Sequence, residues 1–259
     1  MKLGLNAADL NRFRIAAEKG FDYVDVPLKF IIKEGNDYID EMEKLLKDLH
    51  LTADSFNAFF DNDVQLIGEG ADKAMIRKIA EENIKIAARF GADNVVIGSA
   101  KARRIPEGYT KQDAMEAFGE VLDFCGNLCG REGIKIAVEP LREKETNFIN
   151  TVLDGYEMCE YVGNPHVGCL VDFFHFFING EDLSSLDVVK DKLIHAHLAR
   201  PNIDRCHPQE EDLPMLHQYA AKLKEIGYKG RLTLECNWKP DFESNIDEAW
   251  SVFSLFKEV

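Results

Sequence analysis

The stretch IKIAVEP, residues 134–140, sets the reading of the whole chain. Ile134, Ile136 and Val138 alternate with Lys135, Ala137 and Glu139. β-Branched residues at this density, bounded by Gly133 and Pro140, read as a buried strand. The strand ends on a carboxylate, and acidic side chains are almost never fully buried unless paired or held by a cation. Three later strand-like runs end in the same way. VGCLVDFFH brings Asp172 and His175, LIHAHLA brings His195 and His197, and RLTLECN brings Glu235. Four strands delivering Glu, Asp, His and Glu to one rim make a donor set for a divalent cation.

Outward from this strand, the chain carries eight strand-like runs, at residues 2–6, 23–27, 51–60, 94–98, 134–139, 167–172, 193–198 and 231–236. Helical patterns follow them at 8–19, 36–49, 71–90, 111–131, 151–162, 182–190, 214–226 and 246–257. The repeat is roughly 30 residues, the size of a βα unit. Eight units in 259 residues predict an α/β fold, a single (β/α)₈ TIM barrel over residues 1–259. An open doubly wound sheet is the alternative, because periodicity does not prove closure. The strand ends carry Asn6, Asn57, Ser99, Glu139, Asp172, His197 and Glu235. In barrel enzymes that end holds the chemistry.

Composition narrows the partners. A net charge of −15 repels phosphate backbones and anionic lipid, so nucleic acid and membrane are not expected partners. No apolar run reaches the roughly 18 residues of a membrane span. The opening MKLGLNAADLNRF begins a strand rather than a signal peptide, which predicts a cytoplasmic protein. The six cysteines form no CxxC pair and read as reduced thiols.

Three carboxylates and one imidazole suit Mn²⁺, Mg²⁺ or Co²⁺ better than structural zinc. Packed together without a cation, the carboxylates would raise one another's pKa. Taken singly, a strand-end Glu is more often solvated or ion-paired. Joint placement on four consecutive strands carries the metal reading. His195 and His197 alternate, so both face the same way in a regular strand. His195 is then a substrate contact or a core histidine. His175, three residues past Asp172, can reach a substrate hydroxyl, as can Glu145, six past Glu139. Glu145 as a solvated helix-start acid is the plainer alternative. Arg200 and Arg205 follow strand seven, where either could fix a substrate oxygen or lie on the surface. Phe173, Phe174, Phe176 and Phe177 read as packing or as an apolar wall for substrate.

The motifs VEP, VDFFH, HAHL and LTLE resemble those of the xylose-isomerase-like sugar isomerase/epimerase superfamily. Within it the sequence is most similar to ketose 3-epimerases of the tagatose/psicose type. The likeness spans the barrel in order and spacing, with its sharpest motifs after residue 134. It implies a barrel binding Mn²⁺, Mg²⁺ or Co²⁺ through Glu139, Asp172, His197 and Glu235. It also implies Glu139 and Glu235 as the acid/base pair, with Glu145, His175 and an arginine after strand seven, Arg205 in this chain, holding substrate oxygens. A homodimer or homotetramer acting on a small-molecule sugar is expected. The pattern departs from the family after His197: Arg200 stands where an acid is common, residues 202–208 read as a small insertion, and Gln209 replaces a glycine.

The chemistry implied is proton abstraction next to a carbonyl. A divalent cation stabilises the enediolate. One carboxylate takes the proton and another returns one. Return to the opposite face gives epimerisation, and return to the adjacent carbon gives aldose–ketose isomerisation. No phosphate-cradling glycine loop is evident, which favours a free ketose over a sugar phosphate. Alternatives within the superfamily are inosose dehydratase, hydroxypyruvate isomerase and enzymes of oxidised glycosides. AP-endonuclease-type DNA-repair enzymes use extra histidines on strands three and four, where this chain has Asn57 and Gly98–Ser99. A non-catalytic sugar-binding barrel is disfavoured by the presence of both Glu139 and Glu235.

Overall fold

The computed structural model describes residues 1–202 and 204–259; Ile203, inside the insertion read from the sequence, lies outside the described residues. Eight parallel strands close into a barrel: β1 (Lys2–Asn6), β2 (Tyr23–Pro27), β3 (Thr52–Asn57), β4 (Asn94–Ile97), β5 (Lys135–Val138), β6 (Val167–Asp172), β7 (Leu193–Leu198) and β8 (Arg231–Leu234). Closure is made by β8 on β1, in register from Lys2↔Arg231 to Leu5↔Leu234. The open-sheet alternative is thereby excluded.

The outer helices are α1 (Leu10–Lys19), α2 (Leu28–Glu34), α3 (Asn36–Asp48), α4 (Lys73–Arg89), α5 (Lys111–Arg131), α6 (Val152–Val162), α7 (Phe173–Ile178), α8 (Ser185–Val189), α9 (Leu213–Glu225) and α10 (Ile246–Phe253). Their ends are set by local chemistry. Thr110 and Thr151 form capping boxes with Asp113 and Asp154, satisfying amides that the first helical turn leaves free. Gly20 and Gly163 stop α1 and α6 in the left-handed conformation. Two helices are absent from the sequence reading. α2 and α7 are seven and six residues long, too short to show a helical period. α10 also ends earlier than the pattern suggests, passing into a 3₁₀ turn over Ser254–Glu258.

Two kinds of interior result. Outward-facing strand residues such as Leu3, Val24, Ile97, Ile136 and Val138 pack against the helices in one continuous core. Inside the barrel, Val96, Ala137 and Leu170 form a separate apolar cluster against Ile194. The rest of the barrel interior is polar. The Tyr23 hydroxyl lies 2.7 Å from Thr233 Oγ1, and Ser55 donates to Asn94 Oδ1 at 2.8 Å. A register shift where β6 meets β7 pairs Cys169 with Leu193 and then Leu170 with His195. This bulge lets β7 present His195 and His197 inward. Four of the six cysteines are buried, and no disulfide joins any of them among the described residues.

Glu181, just after α7, accepts the Val152 amide at the start of α6 (2.8 Å). Burial, helped by Asp154 and opposed by that hydrogen bond, pushes its carboxyl up to about 7. The folded chain therefore holds a proton that the unfolded chain releases above pH 4.5. The associated stability is full below pH 4.5 and is lost as pH rises through 7. Glu181→Gln keeps the carbonyl acceptor and removes the titration. Urea unfolding should find this variant more stable than the parent at about pH 8, by about 1–2 kcal/mol after allowance for partial exposure, and equal near the unfolded carboxyl's own pKa.

Candidate metal centre

The C-terminal ends of β5 to β8 bring Glu139, Asp172, His197 and Glu235 together, with one donor atom from each lying within 4.8 Å of all the others. Each side chain is aimed by its strand and by a second contact. Asp172 caps α7, its Oδ1 accepting the Phe174 amide at 2.8 Å, so that Oδ2 is left to face the cluster. Asn57 donates to Glu235 Oε1 at 3.1 Å from across the barrel. Glu139 fits because residue 98 has no side chain: a Cβ there would collide with Glu139 Oε2. The fully buried Arg103 donates to the Glu139 carbonyl at 2.6 Å and pins the end of β5.

The donor chemistry fits a divalent cation. His197 Nδ1 lies 2.8 Å from Glu235 Oε2 and 3.2 Å from Glu139 Oε1. Carboxylate oxygens donate nothing, so a bare Nδ1 lone pair would repel both. The arrangement calls for positive charge at that point, either a proton on Nδ1 or a metal ion. Burial alone would lower the His197 pKa, but Glu235, Asp25 and Glu139 outweigh it and hold the imidazole well above its usual range. Burial likewise works to raise Glu235, yet Arg205 and His197 keep it far below the usual carboxylate range. Oxygen-rich donors of this kind suit hard divalent ions.

The other expected site residues divide. Arg205 touches Asp172 Oδ2 and lies 2.6 Å from Glu235 Oε2, with its guanidinium 5.1 Å over the Phe174 ring. It reaches the mouth from a residue with φ of 51°, in a loop tied by Arg205 N to Asn202 O at 3.0 Å. Arg200 turns away to Gln209, Glu211 and Asp212. His175 takes the Arg142 amide on Nδ1 at 3.3 Å, so its proton sits on Nε2, which has no hydrogen-bond partner among the described residues and lies 3.6 Å from Asp172 Oδ2. Glu145 lines the mouth and is bound by Arg142 Nε at 2.6 Å. Of the two readings of His195, substrate contact or core histidine, its burial favours the second. It has no exposed surface, and its ring nitrogens face Thr233, Asp25, Ser55 and Asn94, one layer below the rim. Phe173, Phe174 and Phe176 are buried packing residues; Phe174 supports Arg142 and Arg205, and Phe177 is half exposed.

Sequence reasoning missed Asp25 and Arg103. Asp25 carried a usable signal, an acid between Val24 and Val26 in a strand that had to be buried. Arg103 carried none. A cavity of about 220 Å³ opens over the cluster, lined by Asn57, Ser99, Glu139, Glu145 and Glu235 among others.

A polar cluster of this composition at the C-terminal mouth of a closed parallel barrel defines an enzyme of the TIM-barrel class. Residues 13–253 match the family model described as "Xylose isomerase-like TIM barrel", and the chain belongs to that family. It is 24% identical over 239 residues to an inosose isomerase of Halalkalibacterium halodurans, covering 87% of this chain and 81% of that protein. It is 23% identical over 235 residues to the 3-dehydro-D-guloside 4-epimerase of Escherichia coli, covering 87% and 86%. The crystal structure of a D-psicose 3-epimerase with D-tagatose from Clostridium cellulolyticum H10 superposes with a TM-score of 0.85 over 100% of this chain and 99% of that one, at 17% identity. The chain is an enzyme of the isomerase/epimerase kind.

Gly98→Ala tests the packing of Glu139. The obstructing atom is the end of a side chain, so the barrel should keep its melting temperature while the carboxylate shifts. Turnover in a sugar isomerisation assay should fall on the order of 10²-fold.

Proposed function

We propose that this enzyme is a divalent-metal-dependent sugar isomerase or epimerase, acting on a free ketose by moving a proton next to the carbonyl. The observation that supports it most is the joining of Glu139, Asp172, His197 and Glu235 under one small cavity. These four would hold the ion, Mn²⁺ by preference, with Mg²⁺ or Co²⁺ as substitutes. When bound, the ion supplies Lewis acidity that stabilises charge developing on the substrate's oxygens, worth several kcal/mol.

The chain's own groups do the rest. Arg205 and His197 keep Glu235 ionised, so it presents a carboxylate, the form that can accept a proton from carbon. Glu139 returns a proton from the other side, and the roles exchange in the reverse direction. His175 Nε2–H, Glu145 and Arg205 grip substrate oxygens, orienting the carbon between the two carboxylates. Assembly as a homodimer or homotetramer and a cytoplasmic setting belong to the same proposal. Among the described residues no helix is long and apolar enough to cross a membrane. The inosose isomerase relative keeps an inosose substrate as the second reading.

A panel of ketoses, aldoses and inososes with Mn²⁺ in D₂O tests the proposal. Deuterium should enter at the carbon next to the carbonyl of the true substrate. Glu139→Gln and Glu235→Gln should each lower turnover by about 10²–10⁴-fold while sugar binding survives. Unchanged turnover in either variant would reject the pair.

A further inference from the structure

Asp25 sits within β2, below the rim, with no exposed surface. Three donors converge on one of its oxygens. Oδ2 lies 3.1 Å from His197 Nε2, 3.3 Å from Thr233 Oγ1 and 3.4 Å from His195 Nε2. Oδ1 has no hydrogen-bond partner among the described residues. A carboxylate oxygen only accepts, so both imidazoles present Nε2–H to it. For His195 this agrees with the other side of the ring, where Nδ1 faces the Asn94 amide nitrogen at 3.5 Å. For His197 it leaves Nδ1 as the nitrogen turned toward Glu139 and Glu235.

We propose that Asp25 is a positioning residue: by accepting Nε2–H from His197 it fixes the ring's orientation and tautomer, so that the Nδ1 lone pair is delivered to the ion at the rim. The inference rests on the reading that the four rim residues hold a metal. Asp25, His195 and His197 could themselves be taken for a buried metal triad. Their hydrogen bonds argue otherwise. A cation among them would have to displace the Nε2 protons of both histidines, and His197 would then face the rim carboxylates with Nδ1–H. The hydrogen-bonding of a ligating histidine's second nitrogen sets which nitrogen binds, and loss of such a partner typically weakens metal affinity about 10–100-fold.

Asp25, on β2, stands three strands round the barrel from His197 on β7, so it acts across the interior rather than along its own strand. His195, held by Asn94 and Ser55 from β4 and β3, braces Asp25 from a second direction. The orientation of His197 is thus tied to strands that contribute no ligand.

The test compares Asp25→Asn with Tyr23→Phe. The asparagine side chain has the same shape as the carboxylate, but its amide nitrogen can donate to His197 Nε2 and move the ring proton to Nδ1. Tyr23→Phe breaks the Thr233 bond in the same buried network while leaving Asp25 and every atom bonded to His197 in place. Calorimetric titration of the metal-stripped full chain with Mn²⁺ should give one ion per chain. The dissociation constant should rise about 10–100-fold in Asp25→Asn and stay unchanged in Tyr23→Phe, even where both lower the melting temperature. In Zn²⁺-loaded, histidine-¹⁵N-labelled protein, the His197 Nε2–H resonance should be shifted downfield by the carboxylate and lose that shift in Asp25→Asn. Equal affinity and an unmoved resonance in Asp25→Asn would overturn this proposal alone, as would two ions per chain. A parent chain that takes up no Mn²⁺ would overturn the metal reading and this proposal with it.

Discussion

Like charges brought close together must be neutralised, and that constraint organises the mouth of this barrel. At 4.8 Å and an effective dielectric constant of about 20, each carboxylate pair costs roughly 3 kcal/mol. Glu139, Asp172 and Glu235 make three such pairs. The closed barrel gives them no room to separate, because each stands at the end of a strand hydrogen-bonded on both sides. Positive charge is therefore built around them. Arg205 reaches in over Phe174, and His197 places a ring nitrogen against two of the three. The same concentration of negative charge is what makes the site attractive to a divalent ion.

The supports for that cluster come from the whole circumference. β5 to β8 supply the donors. β3 supplies Asn57 to Glu235, the end of β4 supplies the bare Gly98 against Glu139, and β2 supplies Asp25 to His197. Arg103, buried after β4, holds the backbone where β5 ends. A barrel interior filled only with aliphatic layers would have packed well and oriented nothing. This one keeps an apolar wedge at Val96, Ala137 and Leu170, and devotes its other interior positions to hydrogen bonds between strands.

Much of this was legible in the chain. Strand-end acids stand out because they interrupt apolar runs, so Glu139, Asp172, His197 and Glu235 could be read together from order alone. α5 and α6 were legible as helical patterns at 111–131 and 151–162, and the capping boxes at Thr110 and Thr151 set their starts by local chemistry. What escaped depends on depth and on loops. Alternation places His195 and His197 on one face, with His195 the deeper by chain order, but does not say whether the mouth reaches down to it. α7 lacks any period because Phe173–Ile178 is apolar throughout except His175. The choice between Arg200 and Arg205 rests on a loop with a left-handed residue at Arg205, which sequence pattern does not reveal. Gly98 looked like an ordinary strand end, and its importance is only the space it leaves.

The central claim is that one ion joins side chains from four adjacent strands. A crystal of the full chain grown with Mn²⁺, with an anomalous difference map collected at the manganese edge, tests it most directly. The account predicts a single peak within about 2.0–2.4 Å of Glu139, Asp172, Glu235 and His197 Nδ1. A peak elsewhere, or the four side chains turned apart with no ion among them, would contradict it.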